Sequence, residues 1–262
     1  MTKPVFSQLT PTETLERAGF RFGARGTHSA RTIMLGDLAE LLAAVPSDAA
    51  REEYAEAIVE ENVLGKPTWV TRNVSRKYLT NLYGLDPALP LFRVLRRLWE
   101  TDPAGRPLVA LLCALARDPL LRSTAAHVLS LDEGEELLRA PFSVVIRGAV
   151  GRRLNDSVVE SVASRAASSW TQSGHLEGHR RKQRRRVAPT PGAAAMALWL
   201  GELQGLAGLS LLDADWAAAL DRTGAAMLPF ALEARRYGLI HARAAGNVVE
   251  IDTRRLDPAV QR

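Results

Sequence analysis

Cysteine is almost absent from this sequence, since Cys113, inside the apolar run 111–115, is the only one. A lone thiol in such surroundings is typical of a small buried apolar residue, and it has no second cysteine to pair with. We therefore exclude a secreted disulfide scaffold and expect a cytoplasmic protein, because thiols stay reduced in the cytosol.

Long uninterrupted hydrophobic runs are also missing. Residues 1–8 contain no apolar region of the kind found in a secretory signal. Residues 193–212 come nearest to a membrane span, but Glu202 and Gln204 interrupt the segment and three glycines dilute it. We predict a buried core helix there and no membrane partner.

Aromatic residues are scarce, at 6% of 262 residues, whereas alanine and leucine are abundant, which favours helices. The hydrophobic share of 47% and the charged share of 24% are typical of a soluble protein with a substantial core. The predicted fold class is mainly α: helical bundle lobes with helix-turn-helix and winged-helix elements and short β-hairpins. The turn at 101–105 predicts an N-terminal lobe, 1–102, and a C-terminal lobe, 103–262.

Motifs for catalysis or metal binding are missing as well. There is no Gly-x-Ser-x-Gly motif and no phosphate loop ending in Gly-Lys-Ser/Thr. His175 and His179 are four residues apart, but their order differs from that of zinc proteases and the neighbouring arginines would repel a cation. We predict no enzymatic activity, no catalytic residue, no metal, no cofactor and no small-molecule substrate.

Acidic residues are absent from the segment 180–186, which holds six basic ones. The net charge of the chain is +5, so this segment alone supplies the positive excess. The planar guanidinium group of arginine matches two phosphate oxygens, and such concentrated charge indicates a nucleic-acid partner. The predicted phosphate-binding residues are Arg180, Arg181, Lys182, Arg184, Arg185 and Arg186. The alternative is a solvated loop.

The surroundings of this segment resemble a winged helix, over about 142–190. Asn155 is placed to cap a helix that stops at Gly174, and residues 175–179 can form a short strand and turn before the basic run. In a winged helix the helix faces a groove of DNA and the wing lies along the phosphate backbone. A second helix followed by a glycine and a hairpin is predicted at the C-terminus, with its turn at Gly246-Asn247.

The first half contains a predicted helix-turn-helix. A helix capped by Ser47 ends near Asn62, and a turn occupies 63–67. A second helix, with Thr68 or Thr71 as its predicted cap, runs to Gly84. Thr10 and Asp132 are predicted to cap two further helices. The residues predicted to face DNA from the helix-turn-helix are Lys66, Arg72, Asn73, Arg76 and Lys77. The alternative is a helical hairpin with a solvated face.

A basic arm, 17–31, precedes this unit and contains Arg17, Arg21, Arg25 and Arg31 but no acidic residue. Its irregular, glycine-containing sequence predicts no helix. Whether this arm also contacts DNA stays open at this point.

Residues 60–66, Glu-Glu-Asn-Val-Leu-Gly-Lys, and the basic helix that follows resemble the N-terminal region of the BrxA family. These are small DNA-binding proteins of BREX phage-defence loci. The resemblance implies a non-enzymatic component that binds duplex DNA with little sequence preference beside other defence-system proteins. It extends to Lys66, Arg72, Arg76 and Lys77, whereas the run 180–186 matches no motif of that family.

The sequence therefore predicts a non-catalytic, double-stranded DNA-binding accessory protein of a phage-defence system. Two alternatives stay open. One is a sequence-specific winged-helix regulator, which would bind as a dimer and read bases with residues such as Asn73 or Gln183. The other is an adaptor whose basic loop docks an acidic protein or an anionic membrane.

Overall fold

A computed structural model describes residues 5–23, 26–246 and 248–261 of the chain. Arg25 of the basic arm and Asn247 of the predicted hairpin turn lie outside the described residues. The described part is mainly helical with two small two-stranded sheets, which confirms the predicted mainly α class. None of the described helices is long and apolar enough to cross a membrane.

The helices follow one another in three groups, and each of the last two groups is followed by a hairpin. The first group is α1 (Glu13–Ala18), α2 (Leu35–Ala44), α3 (Arg51–Val59), α4 (Trp69–Tyr83) and α5 (Pro90–Thr101). The second is α6 (Arg106–Arg117), α7 (Pro119–Ser123), α8 (Ala125–Ser130), α9 (Arg139–Val150) and α10 (Asp156–Gln172). After the strands β1 (Leu176–Glu177) and β2 (Gln183–Arg184) come α11 (Pro191–Leu203), α12 (Leu209–Leu212), α13 (Asp215–Ala218) and α14 (Leu228–Arg236). The strands β3 (His241–Ala245) and β4 (Val248–Asp252) come next, and they are followed by two short 3₁₀ helices, Arg254–Leu256 and Pro258–Gln261.

Helix α6 forms the centre of the core because its sequence is apolar almost all round. Residues 108–116 are all buried, and the helix packs against α4, α5 and α11. Helix α11 is buried over 192–201, which confirms the core helix predicted in this part of the sequence. Asp102, at the predicted lobe boundary, accepts a 3.0 Å hydrogen bond from the backbone N–H of Gly192. The hydrophobic core is thus continuous across the predicted boundary between 1–102 and 103–262.

The ends of α4 and α10 lie where their capping residues predict them. Thr68 caps α4 by accepting a 3.2 Å hydrogen bond from the N–H of Thr71, and Asn155 caps α10 through the N–H of Val158 at 2.9 Å. Gly84 and Gly174 follow the two helices with φ of +89° and +87°, a region that favours glycine.

Three predicted helix starts were wrong. Thr12 rather than Thr10 caps α1, and α3 begins after Ala50, whose N–H donates to Glu53 at 2.6 Å, rather than at Ser47. Residues 132–137 form no helix: they make a turn, in which the carboxylate of Glu135 accepts the Asp132 N–H at 2.8 Å, and the backbone of 134–137 pairs with β2 instead.

That turn brings residues 134–137 alongside the first hairpin. Glu136 bridges to Gln183 in an antiparallel arrangement, and the N–H of Leu137 donates to the carbonyl of Lys182 at 2.8 Å. The strand β2 therefore lies between the 134–137 segment and β1.

The C-terminal hairpin is present where the sequence predicts it. His241 pairs with Asp252 and Ala245 with Val248 in an antiparallel register. The hairpin packs against α14, which is separated from it by Gly238 at a φ of +70°. A glycine and then a hairpin thus follow both α10 and α14.

Candidate nucleic-acid interface

The arginine run is not wholly on the surface, because one of its six cations is buried. The side chain of Arg184 is 0% exposed and forms an ion pair with Asp221, which lies in the loop after α13. Arg186 also bonds Asp221, at 3.1 Å, and donates to the carbonyl of Leu131 at 3.1 Å. The expectation that Arg184 binds phosphate is therefore corrected: its charge is buried and neutralised inside the protein.

The two neighbouring cations are also engaged in contacts within the chain. Arg185 donates to Glu177 at 2.8 Å and lies 3.5 Å from Glu133. Lys182 donates to the hydroxyl of Thr171 on α10 at 2.9 Å, and its partial burial lowers its pKa. These contacts fix the hairpin against α10 and the 131–137 segment, so the predicted phosphate role of both residues is weakened.

Two cations of the run are exposed without an ion pair among the described residues, and both lie at the tip of the first hairpin. Arg180 and Arg181 are exposed, and within the described ranges neither forms an ion pair. The turn is held by Gly178 at a φ of +102°, where an added Cβ would come within 2.1 Å of the Arg181 carbonyl oxygen. The tip therefore presents two adjacent guanidinium groups on a defined turn.

The cationic side chains of the predicted helix-turn-helix also form two sets, one facing inward and one facing outward. Lys66 pairs with Asp37 of α2 at 2.7 Å. Arg72 donates to the carbonyls of Val59 at 3.1 Å and Lys66 at 3.3 Å. These two residues hold α3, the turn and α4 together, which corrects their predicted position on the DNA-facing surface.

The outward face of α4 carries the remaining predicted residues. Trp69 is 63% exposed at the start of the helix, Arg76 and Lys77 follow two turns later, and α4 contains no acidic residue. Asn73 lies between them, and its amide donates to the Trp69 carbonyl at 3.1 Å. This face combines an exposed aromatic ring with two cations.

The face of α4 leads into a cavity of about 390 Å³. The cavity lies among the N-terminal arm, α4, the end of α6 and the turn that precedes α10. Its cationic lining residues are Arg21, Lys77, Arg117 and Arg153, and its polar ones are Thr27, Ser29, Tyr78 and Asn81. No aspartate or glutamate lines it among the residues that the structure describes. The cavity is thus a site of concentrated positive charge.

Arg117 in the lining and Arg122 nearby contribute to this charge, which the buried carboxylate of Asp118 beside them partly offsets. Arg117 donates to the carbonyls of Asn81 at 3.0 Å and Thr80 at 3.3 Å, and burial lowers its pKa to about 10. Burial also lowers the pKa of Arg122 to about 10, and this side chain donates to three backbone carbonyls. Both groups remain charged at neutral pH, and a charge surrounded by protein acts over a longer range than a solvated one.

No family model matches the chain, and no curated protein is significantly similar to it. The resemblance to the BrxA family therefore stays a prediction from short motifs.

The structure contains a buried serine–histidine–aspartate array that was not predicted from the sequence. His28 Nδ1 lies 2.9 Å from Asp118 Oδ2, and His28 Nε2 lies 2.7 Å from Ser169 Oγ. The three side chains have the hydrogen-bond order of a hydrolase triad. However, all three are fully buried, and the adjacent cavity is lined by Thr27 rather than by any of them. The hydroxyl of Ser169 also accepts the N–H of Ile33 at 3.0 Å, so the array connects the arm to α7 and α10.

Proposed function

We propose that this protein binds double-stranded DNA without catalysis, through phosphate contacts that carry little sequence preference. One observation carries the proposal: the outward face of α4, with Arg76 and Lys77, and the tip of the first hairpin, with Arg180 and Arg181, carry cations that form no ion pair among the described residues. Lysine and arginine side chains of this kind are the groups that contact DNA phosphates most often.

The order of elements around α10 supports a winged helix. A strand-like segment at Glu136, then α9, a turn, α10 and the β1–β2 hairpin follow one another, and β2 lies between its two partners. In this interpretation α10 enters a groove and the tip with Arg180 and Arg181 is the wing. The outward face of α10 presents small hydroxyl side chains, among them Ser157 and Ser164, which permit close approach of a backbone.

The polar side chains favour weak over strong sequence preference. The Asn73 amide, a predicted base reader, already donates to the Trp69 carbonyl, whereas Gln183 on the strand β2 is exposed. The available groups are mainly cations, which bind phosphates of any sequence. The setting in a BREX-like defence system is proposed from the resemblance of residues 60–66 alone.

Measuring the affinity for several unrelated duplexes tests the proposal. Fluorescence anisotropy of the full chain with several duplexes of different sequence should give similar affinities. The double variant R76A/K77A should bind more weakly, whereas the control Arg236→Ala, an exposed arginine on α14, should bind like the unmodified protein. A single strongly preferred duplex would support the regulator instead, and no binding at low salt would support the adaptor.

A further inference from the structure

The cavity beside α4 differs in shape from a surface that accommodates a duplex. A DNA duplex is a convex rod whose phosphodiesters each carry one negative charge, so its backbone lies across a groove rather than inside a hollow. The cavity encloses about 390 Å³, within the range of about 300–1,000 Å³ that is usual for small-ligand sites. Its size and concavity fit a small anionic group that enters it.

The lining of the cavity consists of donors that are held in place. Arg21 donates to Asn81 Oδ1 at 2.8 Å, which leaves the amide N–H groups of Asn81 as the donors of that side chain. Arg117, nine-tenths buried, donates from each of its three nitrogens to the backbone carbonyls of Gly19, Thr80 and Asn81, so it contributes mainly charge to the cavity. The Tyr78 ring has the Arg31 guanidinium 5.4 Å from its centroid, which restrains the ring and its hydroxyl group. Donors fixed in advance lose little freedom when an anion binds.

The charge of the site selects among anions. Four cationic side chains line the cavity and no described lining residue is acidic, so a dianion gains more from the site than a monoanion. A phosphomonoester is such a dianion at neutral pH, because its second pKa is about 6. A phosphodiester inside a DNA strand carries a single charge.

We propose that this cavity is a binding site for a phosphomonoester, such as the 5′-phosphate of a DNA end or of a free mononucleotide. This site gives the protein a second binding property beside general duplex binding, because it distinguishes a terminal phosphate from the phosphodiesters of the backbone. The inference shares Lys77 with the surface proposed to bind duplex DNA, but it does not require that duplexes bind.

Two matched ligand pairs test the proposal with the full chain. Isothermal titration calorimetry compares AMP with adenosine, and anisotropy compares a duplex carrying 5′-phosphates with the same duplex carrying 5′-hydroxyls. We expect the phosphate to strengthen binding by about tenfold in at least one pair, as charge-assisted hydrogen bonds do. A gain in the duplex pair identifies a DNA end as the source, and a gain in the AMP pair alone identifies a mononucleotide.

Measurements on variants, and at different pH values, test whether the gain in affinity from the phosphate comes from the cavity. Arg21→Ala should remove most of the gain, Arg21→Lys should keep part of it, and the control Arg236→Ala should leave it unchanged. The affinity for the phosphomonoester should fall between pH 7.5 and pH 5, because the phosphate loses its second charge near pH 6 while the arginines stay protonated. Equal binding within both ligand pairs would overturn the proposal, and general duplex binding would be unaffected by that result. A gain that survives in Arg21→Ala would place the phosphate elsewhere and would overturn it too.

Discussion

The arginines in the run 180–186 differ in whether their charges are buried in ion pairs or exposed to solvent. Arg184 is buried against Asp221, whereas Arg181 is exposed at the hairpin tip. The sequence predicts the cluster of charge but not this division, because Asp221 and Glu133 lie 37 and 52 residues from the arginines that they bind. Partners so distant in sequence are fixed only by the tertiary fold.

This difference predicts opposite effects of neighbouring substitutions on stability. Arg184→Ala leaves the Asp221 carboxylate without its main partner in the interior, so the free energy of unfolding should fall by about 3–5 kcal/mol. Arg181→Ala should change it by no more than about 0.5 kcal/mol, since the side chain is exposed. Urea denaturation of both variants checks this. Equal effects of the two substitutions would contradict the assignment of Arg184 to the interior.

His175 predicts a pH dependence of stability. Its imidazole is fully buried and bonded to Ser173 at 2.9 Å and to the Ala219 carbonyl at 2.9 Å, and burial lowers its pKa to about 4. The unfolded chain binds a proton at about pH 6.5, whereas the folded protein does so only near pH 4. Stability should therefore be greatest above about pH 6.5 and decrease as the pH falls towards 4, by about 3 kcal/mol in total.

Thermal unfolding of His175→Gln and of the exposed control His179→Gln measures this contribution. His175→Gln should unfold at a lower temperature at neutral pH and should lose less stability than the unmodified protein between pH 6.5 and pH 4. His179→Gln should keep the full pH dependence. An unchanged pH profile in His175→Gln would assign the dependence to another group.

Among the elements, local signals predicted the helices best where a capping residue and a terminal glycine agreed. Thr68 with Gly84 located α4, and Asn155 with Gly174 located α10. The helix predicted at Asp132 failed for a tertiary reason, because the 134–137 segment finds backbone partners in β2 that a helix would give up. Lys66 and Arg72 were placed on the wrong face for a similar reason: their partners on α2 and α3 are supplied by packing.

The exposed cations of the first hairpin should account for a measurable share of the salt dependence of DNA binding. Only Arg180 and Arg181 of the run are exposed without ion pairs in the described structure, so R180A/R181A should reduce the slope of log affinity against log salt by about 1.8. Stability should be unchanged, as measured by urea denaturation. An unchanged slope would remove the hairpin from the interface.

At the scale of the whole molecule, one continuous core supports several separate basic features on the surface. Helices α6 and α11 join the two predicted lobes, and the arm is connected to α7 and α10 by the buried His28–Asp118–Ser169 array. The fold class was predictable because helical periodicity and alanine–leucine content are local properties of the sequence. The cavity was not, because Arg21, Lys77, Arg117 and Arg153 come from four separate parts of the chain.

The salt dependence of affinity for unrelated duplexes tests the central claim most directly. If Arg76, Lys77, Arg180 and Arg181 contact phosphates, log affinity should fall with log salt at a slope of about −3.5, and the slope should be the same for each duplex sequence. Absence of binding at low salt, or a shallow slope with one strongly preferred sequence, would contradict a protein that binds duplex DNA through its phosphates.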